Sequence, residues 1–212
     1  PFCNIYSSFS QRAFDNIIHD VAIQNLKVIL CFDRGGIVGE DGATHHGAFD
    51  LACYRPVPNL TIAAPLNEAE LRNMMYSATL PQYDCATVIR YPRGAGAGAQ
   101  WRDIPYTYIE RGKATLLHDG SGIAILSLGA IGNKAAEAVK MAEGRGVNVI
   151  HYNMRFLKPL DTEAVDYALS RATRIITIED GVVSGGLYGA VAEYVGSRQD
   201  GSRCGIEAMG MP

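Results

Sequence analysis

The chain has no Cys-x-x-Cys pair, no run of like charge, no apolar stretch long enough to span a bilayer, and no repeat of solenoid length. Each absence excludes something. Five cysteines at positions 3, 31, 53, 85 and 204 are odd in number and widely spaced, which excludes a disulfide framework and disfavours zinc. Cys3, Cys31 and Cys85 lie in or beside apolar runs and read as core thiols in a reducing compartment. A net charge of −3 without clusters gives no reason to expect nucleic acid or an anionic membrane as partner. The first residues lack the charged and apolar regions of a signal peptide. Neither a P-loop nor a dinucleotide fingerprint is present, which argues against ATP and NAD.

What is present is an ordinary globular composition, 48% apolar and 19% charged over 212 residues. A chain of this size suits one large domain or two small ones and buries roughly 70% of its unfolded surface. Residue 1 is Pro, and Phe2-Cys3-Asn4-Ile5 already reads as a strand, while Gly210-Met211-Pro212 follows directly on another. The expectation is a piece of something longer.

The densest stretch is residues 33–50, which follows the buried-strand run Val28–Phe32. It packs glycines, Arg34, acids and the adjacent His45 and His46 into one loop at a strand's C-terminal end, where open α/β sheets place ligands. Glycine lets backbone N–H groups approach a ligand, and histidine changes charge near neutral pH. In an extended loop neighbouring side chains point apart, so only one of the two histidines is expected to face a crevice. Asp41 is close enough in sequence to orient it or a hydroxyl. His19, His118 and His151 read as structural.

Strand and helix patterns alternate from residue 1 to about 92. Ser8-Phe9-Ser10-Gln11 has capping-box spacing, with an apolar stripe of Phe14, Ile17, Ile18, Val21 and Ala22 behind it. Strands follow at 60–64 and 86–91, separated by a helix opening at Asn67-Glu68-Ala69-Glu70. Elements in this order imply a parallel sheet. Gly94-Ala95-Gly96-Ala97-Gly98-Ala99-Gln100 cannot build a core and reads as a linker. A second α/β unit then has strands near 113–117, 123–128, 147–152 and 174–179, with Asp161 capping one helix and a last helix after Ser184-Gly185-Gly186. Gly129–Gly132 and Gly185–Gly189 precede helices and admit an anion, though close packing explains them as well.

Tyr6, Phe9 and Arg12 lie at the top of the first strand and along the first helical turn. They offer a ring for stacking beside a guanidinium, and equally fit a core pair with a surface cation. Arg34 and Arg93 each stand just after a strand, so both project at one sheet edge. Guanidinium forks suit phosphate oxygens, and as a pair flanking the His loop they read as a phosphate site.

Tyr6-Ser-Ser-Phe9-Ser-Gln-Arg12, Asp33-Arg34-Gly-Gly-Ile-Val-Gly-Glu-Asp41-Gly-Ala-Thr44-His45-His-Gly47-Ala-Phe-Asp50, Arg90-Tyr91-Pro92-Arg93-Gly94, Met154-Arg155-Phe156-Leu157-Lys158-Pro159-Leu160-Asp161 and Thr177-Ile-Glu179-Asp180 together resemble the 1-deoxy-D-xylulose-5-phosphate synthases of the transketolase superfamily. The likeness runs in order over essentially the whole chain. It implies two parallel-sheet α/β domains: an N-terminally incomplete pyrimidine-binding domain at 1–94, a linker at 95–111, and a transketolase C-terminal domain at 112–212. It implies a thiamine-diphosphate enzyme that joins pyruvate to D-glyceraldehyde 3-phosphate with loss of CO2, for isoprenoid precursor and thiamine biosynthesis. It also implies a homodimer, cytoplasmic in a bacterium or plastidic in a plant or alga. By the same resemblance Phe9 stacks on the aminopyrimidine with Tyr6 and Arg12 around it, His45 and Asp41 handle substrate oxygens and protons, and Arg34 with Arg93 holds the aldehyde's phosphate. His46 departs from the family's glutamine. The activating acid and the ligands of Mg2+ and diphosphate would lie in a preceding part, so these residues alone are expected to be inactive. Transketolase, a 2-oxoacid dehydrogenase E1 beta-type subunit and a non-catalytic assembly module are the alternatives.

Overall fold

The computed structural model describes residues 1–198 and 204–212. Its strands are β1 (Phe2–Tyr6), β2 (Ile29–Asp33), β3 (Leu60–Ala63), β4 (Ala86–Arg90), β5 (Thr115–His118), β6 (Gly122–Leu128), β7 (Val149–Asn153), β8 (Phe156–Lys158), β9 (Ala172–Val182) and β10 (Gly205–Met211). They form two five-stranded sheets, in the orders β1-β2-β4-β3-β8 and β10-β9-β6-β7-β5. Pairing is parallel except at one edge of each, where β8 runs antiparallel to β3 and β5 antiparallel to β7. The expected two α/β domains are therefore present, with mixed rather than purely parallel sheets. The strand at β8 has no counterpart in the sequence reading. Three residues between Arg155 and Pro159 are too short for a period-2 signal, and they cross back to complete the first sheet.

One continuous core includes Phe32, Leu51, Tyr54 and Ile62 on one side and Leu126, Ile150, Met154 and Val165 on the other. Central strands β2, β3 and β4 are buried along nearly their whole length, as strands covered on both faces must be.

Helix starts differ from the sequence reading in one place. Residues 7–22 are helical, but in short α, 3-10 and π pieces, and the Ser8–Gln11 capping box does not form. The first turn begins at Ser7 after Tyr6, with no side-chain cap, while Ser10 Oγ donates to the carbonyl of Ser7. At the helix Glu68–Thr79, Asn67 does cap by accepting from Glu70 N at 2.9 Å. The Glu70 carboxylate bonds Leu66 N instead of closing the box, and also takes Arg155 Nε at 2.6 Å and Asn153 Nδ2. Asp161 caps Thr162–Arg171 as expected.

One further expectation is corrected. Cys3 is exposed on the edge strand β1 rather than a core thiol, although Cys31 and Cys85 are buried. The connecting stretch 95–111 packs along the helix Glu68–Thr79. Ala97 and Gly98 donate to Glu68, Ile109 N donates to Ser77 Oγ at 2.8 Å, Ile109 is buried, and Tyr106 stacks on Tyr76. The small residues build no core, as their size dictates, but Ile109 beyond them does, while Tyr106 stays exposed against Tyr76. Among the described residues no helix is long and apolar enough to cross a membrane.

Candidate active site

β2 delivers Asp33 and Arg34 to the C-terminal edge of the first sheet. Arg34 adopts a left-handed backbone (φ 60), which costs a non-glycine residue of order 1–3 kcal/mol unless its surroundings hold it. They do: Arg34 N donates to Asp33 Oδ1 at 2.7 Å and its Nη1 pairs with Asp33 Oδ2 at 2.6 Å. Its guanidinium lies 4.0 Å from the Tyr6 ring centre.

Two 3-10 turns, Gly39–Asp41 and Ala43–His45, shape the loop beyond, joined by Gly42 at φ 80. The first aims Asp41 at both arginines. Asp41 Oδ2 takes Arg34 Nε at 2.9 Å and Arg93 Nε at 2.9 Å. The Arg34 hydrogen bond, with the charges of Arg93 and His45 added, holds the Asp41 carboxyl below its usual range.

The second turn brings the His45 ring 5.2 Å from that of Phe9 and 6.4 Å from that of Tyr6. Tyr6 and Phe9 stack at 5.3 Å, and the Arg12 guanidinium stands 5.9 Å from the Phe9 ring centre. Phe9 remains 37% exposed, so a flat group has a ring face to meet. The two histidines part company at the end of the second 3-10 turn. His46 Nδ1 accepts from Val38 N inside the loop, while His45 faces the aromatic cluster.

All seven predicted residues thus come together: Tyr6, Phe9, Arg12 and His45 in one ring cluster, Arg34, Asp41 and Arg93 in an adjoining charged one, with Arg34 linking them through Tyr6. One detail differs from the sequence reading. Asp41 bonds the arginines, and the partner of His45 Nδ1 is Thr44 Oγ1 at 3.0 Å. Among the described residues no three His, Cys, Asp or Glu side chains group so as to hold a metal ion.

The sequence reading gave no separate weight to what supports this cluster. Asp50 and Arg90 form a buried ion pair at 2.9 Å, with side chains 2% and 5% exposed. Ser7 Oγ donates to the same Asp50 oxygen at 2.8 Å. An arginine closing the strand Ala86–Arg90, in which Thr87 is the other polar residue, is the available signal, since a buried guanidinium needs a carboxylate.

The glycine turns before two helices are closely packed by the protein's own groups. At Leu187–Ser197 the protein's own Glu179 carboxylate accepts from Leu187 N at 2.7 Å and Tyr188 N at 2.9 Å. A Cβ on Gly186 would lie 2.0 Å from that carboxylate, and one on Gly132 would meet Leu66 and Ser127 at 2.7 Å. Close packing accounts for both.

Residues 1–97 match the family described as the transketolase pyrimidine binding domain, and residues 112–212 the transketolase C-terminal domain. The chain is 56% identical over 200 residues to the 1-deoxy-D-xylulose-5-phosphate synthase of Bacteroides thetaiotaomicron, covering 94% of this chain and 31% of that protein. To the synthase of Parabacteroides distasonis it is 49% identical over 212 residues, covering 100% of this chain and 33% of that protein. It spans about a third of the length of these curated relatives. Among solved structures, a split gene transketolase described as an inactive beta4 tetramer superposes with a TM-score of 0.84 at 29% identity, over 99% of this chain and 66% of that one. A transketolase from Pichia stipitis shares the fold, with a TM-score of 0.73 at 18% identity over 100% of this chain and 29% of that one. By both domain matches, which between them take in all but a short connecting stretch, the chain belongs to the transketolase family.

Proposed function

We propose that this chain supplies the pyrimidine side and the C-terminal domain of a thiamine-diphosphate-dependent 1-deoxy-D-xylulose-5-phosphate synthase. That enzyme joins pyruvate to D-glyceraldehyde 3-phosphate with release of CO2. The observation that carries the reading is the meeting of Arg34 and Arg93 at one carboxylate oxygen beside the His45 ring. Two guanidinium groups held together at one sheet edge suit a phosphate, and an adjoining imidazole suits a proton on the carbon end of the same small substrate. The division into 1–94, a connecting 95–111 and 112–212 belongs to the same proposal.

The residues fit the pyrimidine end of the cofactor, because Phe9 presents a ring face flanked by Tyr6 and Arg12. Bound thiamine diphosphate supplies the carbanion chemistry that side chains lack. Phe9 would stack on its aminopyrimidine, with Tyr6 and Arg12 closing the same pocket. Arg34 and Arg93 would hold the aldehyde's phosphate through their remaining N–H groups. Asp41, kept ionised by both arginines, serves as an acceptor and not as an acid near neutral pH. Proton movement at the substrate oxygen therefore falls to His45, whose ring is oriented by Thr44. The activating acid and the holders of Mg2+ and diphosphate would come from polypeptide outside this chain, and the assembly would be a cytoplasmic or plastidic homodimer.

The 29% identical split-gene structure, described as inactive, favours a second statement within this reading: these 212 residues alone associate without turnover. Assay of the longer protein that contains this chain tests the proposal. Formation of deoxyxylulose phosphate from pyruvate is the expected result; activity only with a ketose phosphate donor, or only in lipoamide acylation, would replace it with transketolase or a dehydrogenase component.

A further inference from the structure

The loop that carries Asp41 and His45 has a neck, and the neck is held from two sides. Gly36 and Gly47 exchange both backbone hydrogen bonds at 2.9 Å, closing residues 37–46 into a loop with paired ends. Below the neck Arg90 donates through Nε to Asp50 Oδ2 at 2.9 Å and through Nη2 to Gly47 O at 3.2 Å. Nη2 also donates to the backbone carbonyl of Asp180, at the end of β9 in the second sheet. Above the neck the Asp180 carboxylate lies against Gly36 and accepts from Ile37 N at 3.4 Å, while Val182 N donates to Ala48 O at 3.0 Å.

The glycines show how tight this is. A Cβ on Gly35 would sit 2.5 Å from Arg90 Nε, one on Gly36 1.8 Å from Asp180 Oδ2, and one on Gly47 2.4 Å from both Arg34 O and Ser7 Oγ. Gly36 also stands at φ +84. Gly35 and Gly36 thus leave room for a guanidinium from β4 and a carboxylate from β9 to close on the neck, while Gly47 leaves room for the Arg34 carbonyl and the Ser7 hydroxyl. Within the loop the backbone bonds are those of the two 3-10 turns and the Val38–His46 contact, and the ties that leave it run from Asp41 to Arg34 and Arg93. The His45 half, beyond Gly42, has no such ion pair of its own among the described residues, so its place depends on how the neck is fixed.

We infer that Arg90 and Asp180 are positioning residues, which clamp the neck between the two domains and so set where His45 stands against Phe9. The second domain then acts on the site mechanically through Asp180, whose carboxylate meets Ile37 N and whose carbonyl takes Arg90 of the first sheet. Its chemical consequence rests on the role proposed for His45; the clamp itself does not, and is read without turnover.

The test is hydrogen exchange by mass spectrometry on the 212-residue chain, with the His45 imidazole proton shifts followed by NMR. The Phe9 ring at 5.2 Å imposes a ring-current shift on those protons, and a merely structural role would not move it selectively. In Asp180→Ala, exchange of the segment 37–46 is expected to rise roughly tenfold or more, as for loss of a charged acceptor. Segments from β4 and β6 should stay close to wild type, and the His45 shifts should move toward unstructured values. Arg90→Lys, whose single ammonium cannot serve Asp50, Gly47 and Asp180 together, should do the same more strongly. Because Asp180 is only half-buried, its variant keeps the test alive if the Arg90 variant fails to fold. Unchanged loop exchange and unchanged His45 shifts in Asp180→Ala would overturn the inference.

Discussion

Arg34 and Arg93, 59 positions apart by their numbers, meet at the same oxygen of Asp41: Arg34 Nε donates to it at 2.9 Å, and Arg93 Nε forms an ion pair with it at 2.9 Å. Two cations brought to one point repel each other unless a carboxylate stands between them, so Asp41 holds the pair together. Arg34 Nη1 is also engaged by Asp33 at 2.6 Å and Arg93 Nη2 lies 3.9 Å from Glu40, so an acceptor outside the protein would meet the outer N–H groups that these contacts do not use.

That arrangement fixes a pH response. The folded-state pKa of Asp41 lies below its unfolded value, chiefly through the Arg34 hydrogen bond and then the Arg93 charge. Its contribution is therefore present above the ordinary carboxylate value of about 3.9 and is lost as pH falls through the folded value. An NMR titration of the Asp41 carboxyl carbon should give a midpoint below about 3.9. A midpoint at or above that value would separate Asp41 from the arginines.

His151 predicts a second acid-side slope, unconnected to the site. Its ring is 1% exposed, donates or accepts at Ser127 Oγ at 2.9 Å, and burial lowers its pKa from 6.5 to about 4. Above pH 6.5 both folded and unfolded forms hold it neutral. As pH falls toward 4 the unfolded chain takes up the proton first, and roughly 3 kcal/mol of stability is lost. Urea unfolding at pH 7 and pH 4.5 should show this loss, and His151→Gln should flatten it. His118 acts in the opposite sense and in a higher window. The Val149 carbonyl and then Glu143 raise its pKa, so its contribution is full below its unfolded value and fades as pH rises through the folded one.

Glu179 occupies the N-terminus of Leu187–Ser197, and its replacement should be felt as a lost cap. Glu179→Gln leaves one acceptor for two backbone donors and turns an N–H₂ toward them. The expected cost is about 1–3 kcal/mol, read as a lower urea midpoint at an unchanged m-value. A change smaller than about 0.3 kcal/mol, a third of one ordinary hydrogen bond, would deny it that role.

Gly47→Ala tests the loop neck by volume alone. Its Cβ would meet the Arg34 carbonyl at 2.4 Å, and backbone cannot give way as a flexible side chain can. A loss of about 1–3 kcal/mol is expected, as for overpacking elsewhere, with far-UV circular dichroism unchanged. No loss would mean the neck is looser than the contacts require.

Most of the framework is legible in the sequence because it rests on local signals. Val28–Phe32 and Ala86–Tyr91 announce buried strands, Asn67 and Asp161 announce helix starts, and Arg34, Asp41 and His45 crowd one loop. What escapes a linear reading is pairing at long separation. Nothing near Asp50 says that Arg90 will meet it, and nothing near Phe156 says that a strand of the second half will complete the first sheet. Ser8-Phe9-Ser10-Gln11 misleads for a related reason: the chain turns helical at Ser7, directly from β1, where the Ser7 hydroxyl is engaged by Asp50 and is not free to cap.

The phosphate site is the claim on which the functional reading stands, and kinetics of Arg93→Ala in the longer protein containing this chain test it most directly. Loss of one charge-assisted fork should raise KM for D-glyceraldehyde 3-phosphate by roughly 10- to 100-fold, with KM for pyruvate little changed. An unchanged KM for the phosphorylated aldehyde, in a variant that still turns over, would contradict the account.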